Sequence, residues 1–282
     1  MQTNAFILNT AFTGAVSDKS KNPNVPYTVD EIVADAKRCV GHGTAIGHFH
    51  VRTDEGAPTN DPDRYARLIA GLRAENSLKD LIVVASTSGR HGQTIEERCA
   101  VLKLPMDERP DMGSLTLSSL NFATGPSVTS PDGIRKLAET MLACGVKPEL
   151  EVFDLGMLSF AHQLIHEGLI EGPFYINIIL GNQSGAMPRI ATVAALMSEL
   201  PENAIVSFGG IARHQVAAHR YAVAVAGGAR TGLEDNLVLD RNRTLADNAT
   251  LTQRLAAMAT SAQRSIATAR EVRDHLGLKQ RG

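Results

Sequence analysis

Short apolar runs rich in β-branched residues alternate with longer amphipathic segments from one end of the chain to the other. A strand-length run followed by a helix-length amphipathic segment reads as a βα unit, and repeated units build a parallel sheet. The pattern predicts eight strands, at 5–10, 45–50, 81–86, 114–117, 149–153, 175–180, 204–208 and 229–233. Helices are predicted at 28–39, 62–75, 95–103, 131–143, 156–166, 190–200, 215–226 and 244–262. Thr28 with Glu31 three residues later is a capping-box pattern, and Pro62 suits a first helical turn. Eight repeats over residues 1–282, with no linker or composition break, point to a single-domain (β/α)8 TIM barrel. An open doubly wound sheet is the alternative, but no GxGxxG follows the first strand.

In such a barrel the active site forms from the C-terminal ends of strands and the loops after them. Polar clusters fall there: Thr13-Gly14, His48 to Arg52, Ser86 to Gly89, Ser114 to Asn121, Glu151, Leu180 to Gly185, Gly209-Gly210 and Arg230 to Asp235. Alternate residues of a strand share a face, so His48 and His50 point together while Phe49 points away. Glu234 at the end of the last strand can add an oxygen, giving a His2Glu set with a coordination position left over. Zinc is the first choice for such ligands, with manganese, iron or cobalt as alternatives. Asp235 remains as a base, and Arg230 is the cation that orients it, although a plain surface ion pair would use the same residues.

The Ser86-Thr87-Ser88 hydroxyls can bind a substrate carboxylate or carbonyl, or cap the next helix. The glycine-bearing loops at 180–185 and 209–210 can cradle a phosphate or simply turn. Surface or capping roles are expected for His42, His91, His162, His166, His214, His219 and His275, with His91 and His214 near the rim.

Composition narrows the function class. Lys and Arg number 28 against 30 Asp and Glu, so no strong field directs the chain to nucleic acid or an anionic membrane. No stretch reaches the length of a membrane span and no secretory signal opens the chain, so a cytoplasmic protein is expected. Cys39, Cys99 and Cys144 are widely spaced and odd in number, as free thiols in a reducing compartment would be.

The fragments TAFTGA, GHFHVRTDEG, ASTSG, SLTLSSLNF, KPELEVFD, GGIARHQ, GARTGLEDN and ATAREVRDHLGL, in this order, resemble the β-keto acid cleavage enzymes over nearly the whole chain. The resemblance implies a (β/α)8 barrel, a homotetramer, and zinc at positions matching His48, His50 and Glu234. It further implies that a β-keto acid and acetyl-CoA, as co-substrate, become acetoacetate and the CoA thioester of the remainder. The position matching Asp235 would be the base, that matching Arg230 its assistant, and those matching Ser86 and Ser114 substrate contacts. Where the family member that takes an aminated substrate has an acid, this chain has Val16, which argues against a cationic substrate. Arg90, after the hydroxyl run, offers a fork to an anionic or hydroxylated tail. A metal-dependent hydrolase on the same barrel is the competing reading, and a metal- or metabolite-binding protein leaves Asp235 and Arg230 without a task.

Overall fold

The computed structural model describes residues 5–90 and 92–281. Its frame is a closed barrel of strands β1 (Ile7–Ala11), β2 (Thr44–Phe49), β3 (Ile82–Ala85), β4 (Met112–Thr116), β5 (Lys147–Val152), β6 (Phe174–Leu180), β7 (Ala204–Gly210) and β8 (Gly228–Thr231). Every neighbouring pair is parallel, and β8 returns to β1 with Asn9 opposite Arg230. All C-terminal strand ends therefore share one rim.

Helices α1 (Val29–Val40), α2 (Pro62–Ala74), α3 (Ile95–Ala100), α4 (Pro131–Cys144), α5 (Leu155–His166), α6 (Ile190–Ser198), α7 (Gln215–Val225) and α8 (Asn248–Ser261) follow the successive strands. Outward strand residues such as Leu8, Val83, Leu150 and Phe208 form one apolar cluster with helix residues such as Ile32, Leu68, Leu137 and Leu255. Each such buried side chain contributes about 1.5–3 kcal/mol by leaving water. The capping box predicted at Thr28 and Glu31 is present, and Pro62 opens α2.

The barrel interior is divided. Ile46, Ile82, Val84, Met112 and Tyr175 fill its lower part, together with Val272 and Leu276 from α9 (Ala269–Leu276). This last helix, absent from the sequence expectation, packs against the N-terminal strand ends. Above the apolar layer, β5 turns Glu149 and Glu151 inward, while Leu150 between them joins the outer cluster.

Several boundaries depart from expectation. The helix expected from 244 begins at Asn248, because Asp247 caps it and Asp240 bonds Thr244 into the preceding loop. The strand expected at 114–117 starts at Met112 and ends at Thr116. The segment after Ile95 is α-helical to Ala100, then tightens to a 3-10 turn over Val101–Lys103. Two short antiparallel pairs, Val51–Arg52 with Pro58–Thr59 and Leu120–Phe122 with Gly125–Ser127, extend the rim. Among the described residues no helix is long and apolar enough to cross a membrane.

Candidate active site

β2 carries His48 one residue before its end, and the chain runs through Phe49 to His50. Extended geometry sends Phe49 outward, where it stacks on Phe12 with ring centroids 4.8 Å apart. The imidazoles stay inside, with their Nε2 atoms facing each other at 3.4 Å. Glu234, just beyond β8, meets them: Oε1 lies 3.3 Å from His50 Nε2 and Oε2 lies 3.6 Å from His48 Nε2.

Two features make these donors fit a divalent cation. Glu234 Oε2 is buried without a hydrogen-bond partner. His48 Nδ1 lies 2.7 Å from Glu149 Oε2, which places a proton on Nδ1 and aims the Nε2 lone pair at the gap. Burial pushes the His48 imidazole down, but Glu234 and Glu149 outweigh it and raise it to about 8. Carboxylates that hold a proton there would also hold a metal ion. Burial lowers His50, leaving it neutral and able to ligate.

A second grouping of His48, Glu149 and Glu151 lies close enough for a shared ion. Its carboxylates are already engaged, Glu149 with Asn9 and Asn177, Glu151 with Thr116 and Arg230. That set does not need a cation.

Arg230, on β8 and fully buried, grips Asp235 with both arms: Nε to Oδ2 at 2.9 Å and Nη2 to Oδ1 at 3.2 Å. It also reaches Glu151 Oε1 at 3.2 Å and Glu234 Oε1 at 2.9 Å. The same guanidinium thus ties Asp235 to Glu234. Burial pushes the Asp235 carboxyl up against the pull of Arg230, with the Glu234 charge adding to the rise. An upward shift moves a carboxylate toward the range useful to a general base. From behind, buried His219 meets the Arg230 carbonyl at 2.9 Å, a bracing role rather than the surface or capping role expected.

His48, His50, Glu151, Arg230, Glu234 and Asp235 face a cavity of about 1350 Å³, also lined by Val16, Ser86, Ser88, Arg90 and Thr116. Thr87 and Ser114, expected to contact substrate, do not line it. The Thr87 hydroxyl donates to the Ser114 carbonyl, and Ser114 Oγ accepts from the Thr87 amide at 3.1 Å, so the pair fixes the loop instead. Gly181 and Gly210 answer to close packing: a Cβ on either would lie 2.5 Å from His214 Cβ or 2.7 Å from Gln215 Cα. His214 lines the cavity, whereas His91 lies outside the described residues. Sequence reasoning overlooked Glu149 and Thr116. The signal for Glu149 was its place two residues before Glu151, on the same side of a predicted strand.

A family model described as beta-keto acid cleavage enzyme matches residues 5–278. The chain is 36% identical to the 3-oxoadipate:acetyl-CoA acetyltransferase of Cupriavidus necator, covering 98% of this chain and 96% of that protein. It is 34% identical to the 3-keto-5-aminohexanoate cleavage enzyme of Fusobacterium nucleatum, covering 97% and 98%. It is 33% identical to the 3-dehydrocarnitine:acetyl-CoA trimethylamine transferase of Rhizobium meliloti, covering 96% of each. Among solved structures, apo ObcA superposes with a TM-score of 0.80 at 19% identity, over 91% of this chain and 66% of that one, a likeness of fold. The match to the family model over almost the whole length, and the relatives above 30% identity, establish that this chain belongs to the β-keto acid cleavage enzyme family.

Proposed function

We propose that the protein catalyses a metal-dependent exchange in which a β-keto acid and acetyl-CoA give acetoacetate and the CoA thioester of the remaining fragment. The observation that carries this reading is the convergence of a His2Glu cradle and an arginine-held buried carboxylate on one cavity. The names of two relatives, from Cupriavidus necator and Rhizobium meliloti, support acetyl-CoA as co-substrate.

His48, His50 and Glu234 would hold the ion, zinc first and manganese, iron or cobalt as alternatives. When bound, it supplies Lewis acidity for negative charge developing on the keto oxygen. Asp235 takes a proton from the carbon between the keto and carboxylate groups. Arg230, bonded to both Asp235 oxygens, holds the base in orientation and balances its charge. Ser86 and Ser88 offer hydroxyls to the substrate from the cavity wall, and Val16 leaves its part of that wall uncharged, which disfavours a cationic tail.

The bonds balance without an external oxidant or reductant. The carbon deprotonated by Asp235 bonds to the acetyl carbonyl carbon as the acetyl C–S bond breaks and frees the CoA thiolate. The thiolate adds to the original keto carbon, the bond between that carbon and the deprotonated one breaks, and the acetoacetate carbanion takes the proton back from Asp235. That keto carbon leaves as an acyl group on the CoA sulfur. The same reading includes a homotetramer in the cytoplasm, which suits the free thiols of Cys39, Cys99 and Cys144.

The test is a panel of β-keto acids incubated with metal-replete protein, with and without acetyl-CoA. Acetoacetate and a new CoA ester should form only when both substrates are present. Turnover without acetyl-CoA would instead favour a metal-dependent hydrolase.

A further inference from the structure

Arg90 follows the hydroxyl loop after β3, and that loop is fixed by its own bonds. Arg98 Nε donates to the Thr87 carbonyl at 2.6 Å, and Asn60 donates to the Ser88 carbonyl at 3.2 Å. Ser88 Oγ accepts from the Arg90 amide at 3.3 Å. Gly89 passes so close to Arg98 that a Cβ there would lie 2.7 Å from its Nη1. Arg90 is therefore presented by a rigid support.

Its guanidinium carbon stands 3.5 Å from the centre of the Phe122 ring, which meets Phe153 edge-on. Arg90 Nε is buried without a hydrogen-bond partner, and no carboxylate among the described residues pairs with the side chain. The acids that line the cavity are engaged elsewhere: Glu151, Glu234 and Asp235 with Arg230, and Asp240 with Thr244. The residue is half-buried, and only Nε is closed off, so the fork meets the cavity without a protein acceptor and suits a ligand that brings one. Stacking covers one face of the fork and leaves its edge for in-plane bonds, the geometry a carboxylate matches with two oxygens.

We propose that the cavity selects a β-keto diacid, with Arg90 gripping the carboxylate distal to the reacting carbons. This rests on the reading of the site as one for β-keto acid cleavage.

The test compares 3-oxohexanedioate with 3-oxohexanoate, which has the same carbon chain and lacks the second carboxylate. Kd is measured on metal-replete protein without acetyl-CoA, and kcat/KM with it. The wild type should favour the diacid on the order of 100-fold, the size expected of a charge-assisted hydrogen-bond pair. Arg90→Gln should collapse that ratio to within about 3-fold through Kd and KM, with Arg90→Lys intermediate. Metal content and melting temperature identify any variant that fails to fold, in which case the wild-type ratio decides. Equal wild-type affinity for the two acids would overturn the assignment. So would equal losses on both in Arg90→Gln, because they would put Arg90 on the carboxylate the two acids share. Preferential diacid binding without exchange would sink the reaction and keep this assignment; exchange without preference would do the reverse.

Discussion

Glu149 Oε2 lies 2.7 Å from His48 Nδ1, on the far side of the imidazole from the Nε2 that faces His50 and Glu234. Asn9 and Asn177 donate to the other oxygen of Glu149, so this carboxylate is itself held in place. Glu149 is a positioning residue that sets the tautomer of His48. Glu149→Gln should weaken metal binding by about 10–100-fold, the usual effect of losing such a partner. Competition against a chelating dye reads the affinity, and a wild-type value would contradict the role.

Asp235 and His48 should separate in their effects. Asp235→Asn removes the proposed base and none of the proposed metal ligands, and should lower turnover by about 10²–10⁴-fold while the protein still loads metal. His48→Ala should lose both metal and turnover. Metal analysis beside a turnover assay checks this, and metal loss in the Asp235 variant would contradict the division of labour.

Gly14 gives the Thr-Gly-Ala stretch a structural reason. Its φ is +69°, and a Cβ would lie 2.7 Å from Glu234 Cγ. Gly14→Ala should strain the backbone by about 1–3 kcal/mol and displace Glu234. The readout is bound metal per chain, which should fall although the far-ultraviolet dichroism of the barrel is kept. Full loading would mean that Glu234 tolerates the shift.

At the opposite end of the barrel, Asp111 accepts from Arg73 at 2.6 Å and from Arg273 and Arg281 at 2.9 Å each. Burial pushes its carboxyl up, but the guanidiniums of Arg73, Arg273 and Arg281 outweigh it and hold it below its usual value. A depressed carboxylate stabilises the fold above the ordinary Asp value of about 3.9, and the benefit is lost as pH falls through the folded-state value. Asp111→Asn should therefore cost about 3–5 kcal/mol at pH 7, by leaving buried cations uncompensated. The gap from wild type should narrow toward pH 3. Denaturant melts at both pH values check this, and a gap that does not depend on pH would contradict it.

The barrel was legible because strands buried on both faces read as apolar β-branched runs, and eight of them recur between amphipathic segments. His48 and His50 were legible for a related reason, since the two-residue period of a strand puts both on one side. Periodicity says less where tertiary neighbours decide. Thr87 follows β3 and Ser114 lies within the neighbouring β4, and only that juxtaposition reveals that they bond each other rather than face the cavity. His219 resembled any helical surface histidine until α7 was seen to press it against the Arg230 carbonyl. The helix α9 follows no strand, so the repeat offered no place for it, although Thr268 and Glu271 carry a capping box.

The most direct measurement uses acetyl-CoA labelled with carbon-13 at the acetyl carbonyl, together with an unlabelled β-keto acid and metal-replete protein. The label is expected at the keto carbon of acetoacetate, in amount equal to the new CoA ester, which itself carries none. Consumption of the β-keto acid with the label left in acetyl-CoA or released as acetate would contradict the exchange reaction.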